Sequence, residues 1–104
     1  MPTSIHNLRR ESLRPGDIRI DRRTESGNEF IIGRDGNRAE VIAKFETAER
    51  RRLADPGPAG EVLRMKVRAM HGRRLFCWCA PEPCHGHVYA RLAAELVAEE
   101  NRSG

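Results

Sequence analysis

Three cysteines and two histidines fall within the eleven residues 77–87, the densest group of reactive side chains in the sequence. Thiols and imidazoles are metal ligands, and a thiol becomes a nucleophile when its pKa is lowered and a base lies nearby. Pro81 and Pro83 stiffen the turn inside this segment, as a preorganised site requires. The segment 75–87 is therefore where we expect chemistry, and three interpretations of it compete.

The first interpretation is a catalytic or ligand-binding site that needs no cofactor. Cys84 is expected to begin a helix, where free backbone N–H groups attract anions and lower the pKa of a thiol. His85 lies beside it as a base. We therefore predict Cys84 and His85 as the catalytic residues, with Cys79 and His87 contacting the ligand. The same placement predicts that Cys84 is alkylated first and Cys77 last.

The second interpretation is a zinc site formed by Cys79, Cys84 and His87, with a fourth ligand unassigned. Cys77 is left out because, on one face of an extended strand, it would lie about 6.6 Å from Cys79, too far for two sulfurs to share a zinc ion. In the third interpretation the cysteines are small core residues and the histidines are solvated. Trp78 should point away from the thiols and is expected in the core.

The elements that must position this segment follow an α/β order. Period-two alternation and short apolar runs predict strands over residues 17–20 and 74–79, and a strand or an extended segment packed on the core over residues 30–33. The first helix is marked by a capping box, in which Asn37 is followed three residues later by Glu40. Apolar periodicity predicts helices over residues 37–53, 61–71 and 84–100. The predicted fold is a small layered α/β domain of order β-β-α-α-β-α, a short sheet with helices packed on it.

The length of 104 residues is that of one domain. Residues 1–12 are mostly polar and are expected to form a flexible N-terminal arm. The domain should span residues 13–100, with 101–104 as a frayed tail.

The charge balance has two interpretations: solvated surface charges with an arginine bias from coding preference, which the modest net charge and interspersed acidic residues favour, or a surface for an anionic partner. The sequence has 19 basic and 15 acidic residues, a net charge of +4, and only Lys44 and Lys66 of the basic residues are lysine. Arginine suits phosphate recognition, so a nucleotide or nucleic acid is the expected partner. No apolar run is long enough to span a membrane and no signal peptide is present, which predicts a cytoplasmic protein without a membrane partner.

The segment 75–87 resembles the signature L-x-C-W-C-x-P-x-P-C-H-G-[DH] of domain-of-unknown-function family 4326, small proteins of bacteria and their phages. A second family signature, I-G-R followed by W-G-N-P-F, is matched in part by segments 20–22 and 26–30. The matching residues there are Arg22, Gly27, Asn28 and Phe30, whereas the family's glycine, tryptophan and proline are replaced by Asp21, Ser26 and Glu29. The resemblance runs from about residue 17 to residue 96.

This resemblance implies that the two signature segments act together on a phosphorylated or nucleobase-like ligand. Arg22 and Asn28 would orient the ligand, and one of them is expected within about 10 Å of Cys84 or His85. Two alternative functions stay open. One is a zinc-binding module for nucleic-acid or protein interaction, and the other is a phage accessory protein that binds a host protein and has structural cysteines.

Overall fold

A parallel three-stranded sheet organises the chain, of which the computed structural model describes residues 2–103. The strands are β1 (Ser4–Asn7), β2 (Ile18–Arg19) and β3 (Arg74–Cys77), and the helices are α1 (Arg38–Leu53), α2 (Pro58–Ala69) and α3 (His85–Ser103). The small α/β fold and the element order β-β-α-α-β-α are thus confirmed. None of the helices within residues 2–103 is both long enough and apolar enough to cross a membrane.

The central strand is β3, and the sheet order is β1-β3-β2. Both neighbours run parallel to β3, and Leu75 is the register partner of Ile5 on one side and of Ile18 on the other. Residues 75–77 of β3 are buried, as the continuous apolar run predicts for a strand covered on both faces. Because all three strands are parallel, their carboxyl ends meet at one edge of the sheet.

Two predictions for the first part of the chain differ from the structure, and β3 ends at Cys77 rather than at residue 79. Residues 4–7 lie inside the segment expected to be a flexible arm, but they form β1. At the two ends of this strand, the Ser4 amide donates to the Arg73 carbonyl and the Leu8 amide donates to the Cys77 carbonyl. Residues 30–33, predicted as a strand or an extended segment packed on the core, do not form a strand, although Phe30 packs against the core. This segment turns back on itself because the carboxylate of Asp35 accepts from the amide of Ile31 at 2.8 Å. The first two strands of the observed order are therefore β1 and β2.

The helix predictions are closer to the structure. The capping box is confirmed, since Asn37 Oδ1 accepts from the Glu40 amide and Glu40 Oε1 accepts from the Asn37 amide, both at 2.9 Å. Helix α2 begins at Pro58, earlier than predicted, where proline suits the first turn. Helix α3 continues through residues 101–103, part of the predicted frayed tail. Gly104 lies outside the described residues.

The hydrophobic core joins the helices to the sheet. Phe45 of α1 and Tyr89 of α3 meet edge to face with ring centroids 5.2 Å apart. The largest fully buried side chains are Tyr89, Phe45, Phe76, Ile20, Leu75, Val67, Val88 and Cys77. Cys77 belongs to both this core and the carboxyl edge of β3, so the core fixes the residues that follow the strand.

Candidate functional site at the carboxyl edge of the sheet

A cleft of about 290 Å³ opens at the carboxyl edge of the sheet. Its walls come from the loop that follows β2, the start of α1 and the turn between β3 and α3. Five of the residues predicted for the site line it, namely Arg22, Asn28, Cys79, Cys84 and His85. The sixth, His87, is not among the lining residues. The two signature segments therefore meet in one cleft.

Asp21 anchors the β2 side of the cleft. Its carboxylate is buried and accepts from Arg19 Nε at 3.0 Å and from Arg19 Nη2 at 2.8 Å. These hydrogen bonds, more than any other interaction, hold the pKa of Asp21 below its usual range. Asp21 Oδ2 also accepts from the indole Nε1–H of Trp78 at 3.3 Å. An acidic residue at the position where the family has glycine therefore joins the ends of two strands.

Arg22 projects from the loop after β2 and is exposed. Its guanidinium makes no hydrogen bond or ion pair with any residue in the described range 2–103. Gly27 packs directly against the backbone of this loop, because a Cβ at residue 27 would lie 2.7 Å from Arg22 Cα and 2.8 Å from the Asp21 carbonyl oxygen. The glycine of the second signature thus shapes the loop that presents Arg22.

Asn28 lines the cleft, but its polar atoms are engaged within the protein. The side chain is buried, its Nδ2 donates to the Val41 carbonyl at 3.4 Å, and its Oδ1 accepts from the Phe30 amide at 2.8 Å. These bonds attach the loop after β2 to helix α1. Asn28 was predicted to orient a ligand, whereas its hydrogen bonds in the structure stabilise the wall of the cleft.

The sulfur atoms of Cys77, Cys79 and Cys84 all lie within 4.8 Å of one another, and those of Cys77 and Cys84 are 3.4 Å apart. The prediction that Cys77 and Cys79 are too far apart is wrong, because β3 ends at Cys77 and the chain then bends. Asn7 stabilises the bend, since its Nδ2 donates to the carbonyls of Trp78 at 3.2 Å and Ala80 at 2.7 Å. The three cysteines could hold a metal ion.

The three thiols differ in exposure and acidity. Cys77 and Cys84 are buried, whereas Cys79 is half-buried. Hydrogen bonds from the thiols of Cys77 and Cys84, together with the nearby guanidinium of Arg38, hold the pKa of Cys79 well below its usual range. The same contacts and burial raise the pKa of Cys84. The accessible and acidic thiol is therefore Cys79, and the prediction that Cys84 is the activated thiol does not agree with its burial.

His85 is buried at the start of α3, where its ring Nε2–H donates to the Ile20 carbonyl at 2.6 Å. Burial lowers the pKa of His85 and favours the neutral ring. Because Nε2 is occupied, the side chain ties the end of β2 to the start of α3. His85 was predicted to act as a catalytic base, and with Nε2 engaged only its other ring nitrogen, Nδ1, could accept a proton from a ligand.

His87 is exposed and lies on the other side of the turn. Its Nδ1 accepts from the Cys84 amide at 3.3 Å, which satisfies a free N–H group at the helix start. The sulfur cluster brings together Cys77, Cys79 and Cys84, and His87 is not part of it. The predicted alternative zinc set of Cys79, Cys84 and His87 is therefore not the set that the structure assembles.

Three residues of the site have roles that the sequence did not indicate. Trp78 is 51% exposed and lines the cleft, contrary to the prediction that it lies in the core. Arg38, the first residue of α1, lines the same cleft and donates from Nη1 to the Pro83 carbonyl at 3.0 Å. The contact of Asn7 with the bend spans more than seventy residues of sequence, so no local pattern could have indicated it.

Comparison with known proteins places the whole arrangement in a family context. Residues 5–95 match the family model described as "Domain of unknown function (DUF4326)". The chain is also 33% identical, over 85 residues, to "Uncharacterized 12.4 kDa protein in nrdA-td intergenic region" of Enterobacteria phage T4, an alignment that covers 81% of this chain and 73% of the phage protein. No solved structure is significantly similar to the chain.

Proposed function

This chain belongs to the DUF4326 family, and we propose that its two signature segments form a cleft that binds one nucleotide. The phosphate would lie against the guanidinium groups of Arg22 and Arg38, and the base against the ring of Trp78. One observation carries this proposal. The cleft is lined both by Arg22, whose guanidinium makes no hydrogen bond or ion pair within residues 2–103, and by the half-exposed ring of Trp78.

The chemistry of these side chains fits a nucleotide. Arginine binds phosphate oxygens through paired N–H groups, and an arginine without an internal partner can do so without breaking an existing ion pair. A tryptophan face stacks on any base, at about 1–3 kcal/mol per base. Arg9 adds a further positive charge near the aromatic ring, with its guanidinium carbon 6.0 Å from the Trp78 ring centroid. The cleft therefore offers a cationic part and an aromatic part side by side.

The size and walls of the cleft support a small ligand. Its volume of about 290 Å³ is near the lower end of the range for small-molecule sites, about 300–1,000 Å³. Ile32 lines the wall and is 48% exposed, so two of the large apolar side chains that remain exposed lie at this cleft. Covering such side chains is favourable, which supports a ligand with an apolar face.

Isothermal titration of the full chain with AMP, GMP, CMP, UMP and inorganic phosphate tests the proposal. We expect at least one nucleoside monophosphate to bind, and to bind more tightly than inorganic phosphate because phosphate has no base to stack. Arg22→Ala should weaken nucleotide binding about tenfold, the loss of about 1.4 kcal/mol that one charge-assisted hydrogen bond represents. Trp78→Leu should weaken nucleotide binding while leaving phosphate binding unchanged.

Arg23→Ala is the matched control, because Arg23 is the exposed neighbour of Arg22 and does not line the cleft. It removes the same charge and should leave nucleotide binding intact. A single-stranded oligonucleotide that binds more tightly than the monophosphate would support the proposal, with the cleft holding one nucleotide of a strand. The absence of binding by all four monophosphates, or equal losses in the Arg22 and Arg23 variants, would refute it.

A further inference from the structure

We propose that Cys77, Cys79 and Cys84 together bind one zinc ion and leave its fourth coordination position open to the cleft. This inference does not depend on the identity of the ligand in the cleft. It starts from the convergence of three thiols from two elements, the end of β3 and the start of α3, on one point.

The distances between the sulfur atoms suit a shared metal ion. In a tetrahedral site with zinc–sulfur bonds of about 2.3 Å, two sulfurs lie about 3.8 Å apart. The sulfurs of Cys77 and Cys84 are separated by 3.4 Å, and no pair within the cluster is separated by more than 4.8 Å. Shifts of well under 1 Å in each side chain would place all three around one ion.

Backbone N–H groups donate to two of the three sulfurs, and such donors stabilise the thiolate form that binds metal. The Cys79 amide donates to Cys77 Sγ at 3.5 Å, and the Gly86 amide donates to Cys84 Sγ at 3.3 Å. The guanidinium of Arg38 lies beside Cys79 and supplies a positive charge there. Core cysteines that serve only as small apolar side chains need no such donors. This pattern therefore favours a metal site over a purely structural cluster.

The surrounding chain holds the three sulfurs in place. Gly86 allows α3 to start close to the sheet, because a Cβ at residue 86 would lie 2.9 Å from Ile20 Cδ1 and 3.3 Å from Cys84 Sγ. The turn itself is closed by the Glu82 amide, which donates to the Cys79 carbonyl at 2.8 Å. A metal site whose ligands are held before the ion arrives loses little conformational entropy on binding.

The fourth position faces the cleft. Among residues 2–103, no further histidine, cysteine, aspartate or glutamate belongs to the cluster, while all three cysteines line the cleft. Three protein ligands with one open position is the arrangement of zinc sites that exchange water for a substrate or ligand. We infer that water or a donor atom of a bound ligand completes the site.

Cobalt titration of the reduced, chelator-treated full chain tests the inference, because cobalt reports its ligands through its spectrum. We expect one Co²⁺ per chain, a thiolate-to-cobalt charge-transfer band, the intense visible bands of four-coordinate cobalt, and full displacement by Zn²⁺. Since thiols lose their protons on binding, the titration should also release protons to the buffer. Cys79→Ser removes a ligand itself and should weaken metal binding by about 100-fold or more, since losing a group that only supports a ligand already costs about 10–100-fold. Cys79 is the half-buried ligand, so its replacement is the one least harmful to folding.

His87→Ala is the matched control, since His87 lies near the turn but outside the cluster, and it should retain the cobalt spectrum. Adding imidazole should shift the visible bands without releasing cobalt, as expected for an open fourth position. Arg22→Ala should keep the cobalt spectrum even where it loses nucleotide binding, which separates this inference from the proposed function. Failure of the reduced protein to bind cobalt would overturn the inference, as would a loss of metal in the His87 variant equal to that in the Cys79 variant. An imidazole-insensitive spectrum would overturn the open position.

Discussion

The indole Nε1–H of Trp78 donates to Oδ2 of Asp21 over 3.3 Å, so the aromatic ring after β3 is fixed to the acidic residue after β2. Asp21 is itself held by a bidentate contact with Arg19. A buried carboxylate thus helps to orient the exposed ring at the cleft. Since Trp78 is the single tryptophan of the chain, its fluorescence reports directly on this contact.

The first prediction concerns pH and Asp21. Contact with Arg19 lowers the pKa of Asp21 in the folded state, so between the folded and unfolded pKa values the unfolded chain binds more protons. The stabilisation is present above the unfolded pKa of about 3.9 and is lost as pH falls through the folded value. The Tm should decrease as the pH falls below about 4, and the Trp78 fluorescence of the folded protein should change at a lower pH, where the Asp21 carboxylate itself gains a proton.

Asp21→Asn should show a smaller decrease in Tm over that pH range and an altered fluorescence at neutral pH. Asp35→Asn is the control, because Asp35 also has a lowered pKa, from its contact with Arg34, but makes no contact with Trp78. It should change the pH dependence without altering the fluorescence. An unchanged pH profile in the Asp21 variant would contradict the assignment.

The second prediction concerns Asn7, which holds the bend after β3. Asn7→Ala removes the donor for the carbonyls of Trp78 and Ala80 and should let Cys79 move away from Cys77. We expect affinity for Co²⁺ to fall about tenfold, as for other groups that position metal ligands. The measurement is the cobalt titration described for the three cysteines.

Asn7→Asp sharpens this test, since the aspartate keeps the shape and the Oδ1 acceptor that the Arg9 amide uses, but has no N–H to donate. It should reproduce the loss seen with alanine. Normal cobalt affinity in both variants would show that the bend is stable without Asn7.

The third prediction concerns the buried contact between Tyr89 and Glu49. The Tyr89 hydroxyl donates to Glu49 Oε2 at 2.8 Å, and Arg52 Nε donates to Glu49 Oε1 at 2.8 Å. Tyr89→Phe leaves one oxygen of a buried carboxylate without its donor, which should lower the free energy of unfolding by about 1–3 kcal/mol. Urea denaturation measures this, and nucleotide binding should be unaffected because neither residue lines the cleft.

Glu95→Gln is the comparison for this prediction. Glu95 forms an exposed ion pair with Arg50, and such pairs contribute about 0–1 kcal/mol. If the two variants lost equal stability, the buried hydrogen bond would count for no more than a surface ion pair.

Local signals account for the parts of the fold that the sequence predicts well. The capping box at Asn37 and Glu40 and the buried run at 75–77 each depend on neighbouring residues alone. Strand β1 carries no such signal, because Ile5 is the single apolar residue of Ser4–Asn7, too little for a pattern, and the segment becomes a strand by pairing with β3. At residues 30–33 the local signal is misleading, since the apolar side chains suggest a strand while the Asp35 carboxylate stabilises a turn.

The sequence predicts which residues belong to the site better than it predicts the distances between them. The meeting of the two signature segments is predicted from the family resemblance, and the parallel sheet explains it, because both segments follow strands of that sheet. The distances within the turn cannot be predicted from the sequence, since they depend on where β3 ends and on the contact of Asn7 with Ala80. Because β3 ends at Cys77, two residues before the predicted end, Cys79 lies close to Cys77 and Trp78 is exposed.

The last prediction concerns the order in which the thiols react. With reduced, chelator-treated protein, a short iodoacetamide pulse followed by mass-spectrometric mapping should find Cys79 modified first and Cys77 and Cys84 much later. The reason is access, since Cys77 is 1% and Cys84 3% exposed while Cys79 lies half-buried at the cleft. This order differs from the one that the sequence predicts, in which Cys84 reacts first, but in both orders Cys77 reacts late. In urea all three should react at similar rates, which controls for intrinsic differences, and added zinc should protect all three in the folded protein.

Faster modification of Cys84 than of Cys79 in the folded chain would mean that the turn after β3 does not bend as described, and the proposed three-thiol site would lose its geometric basis.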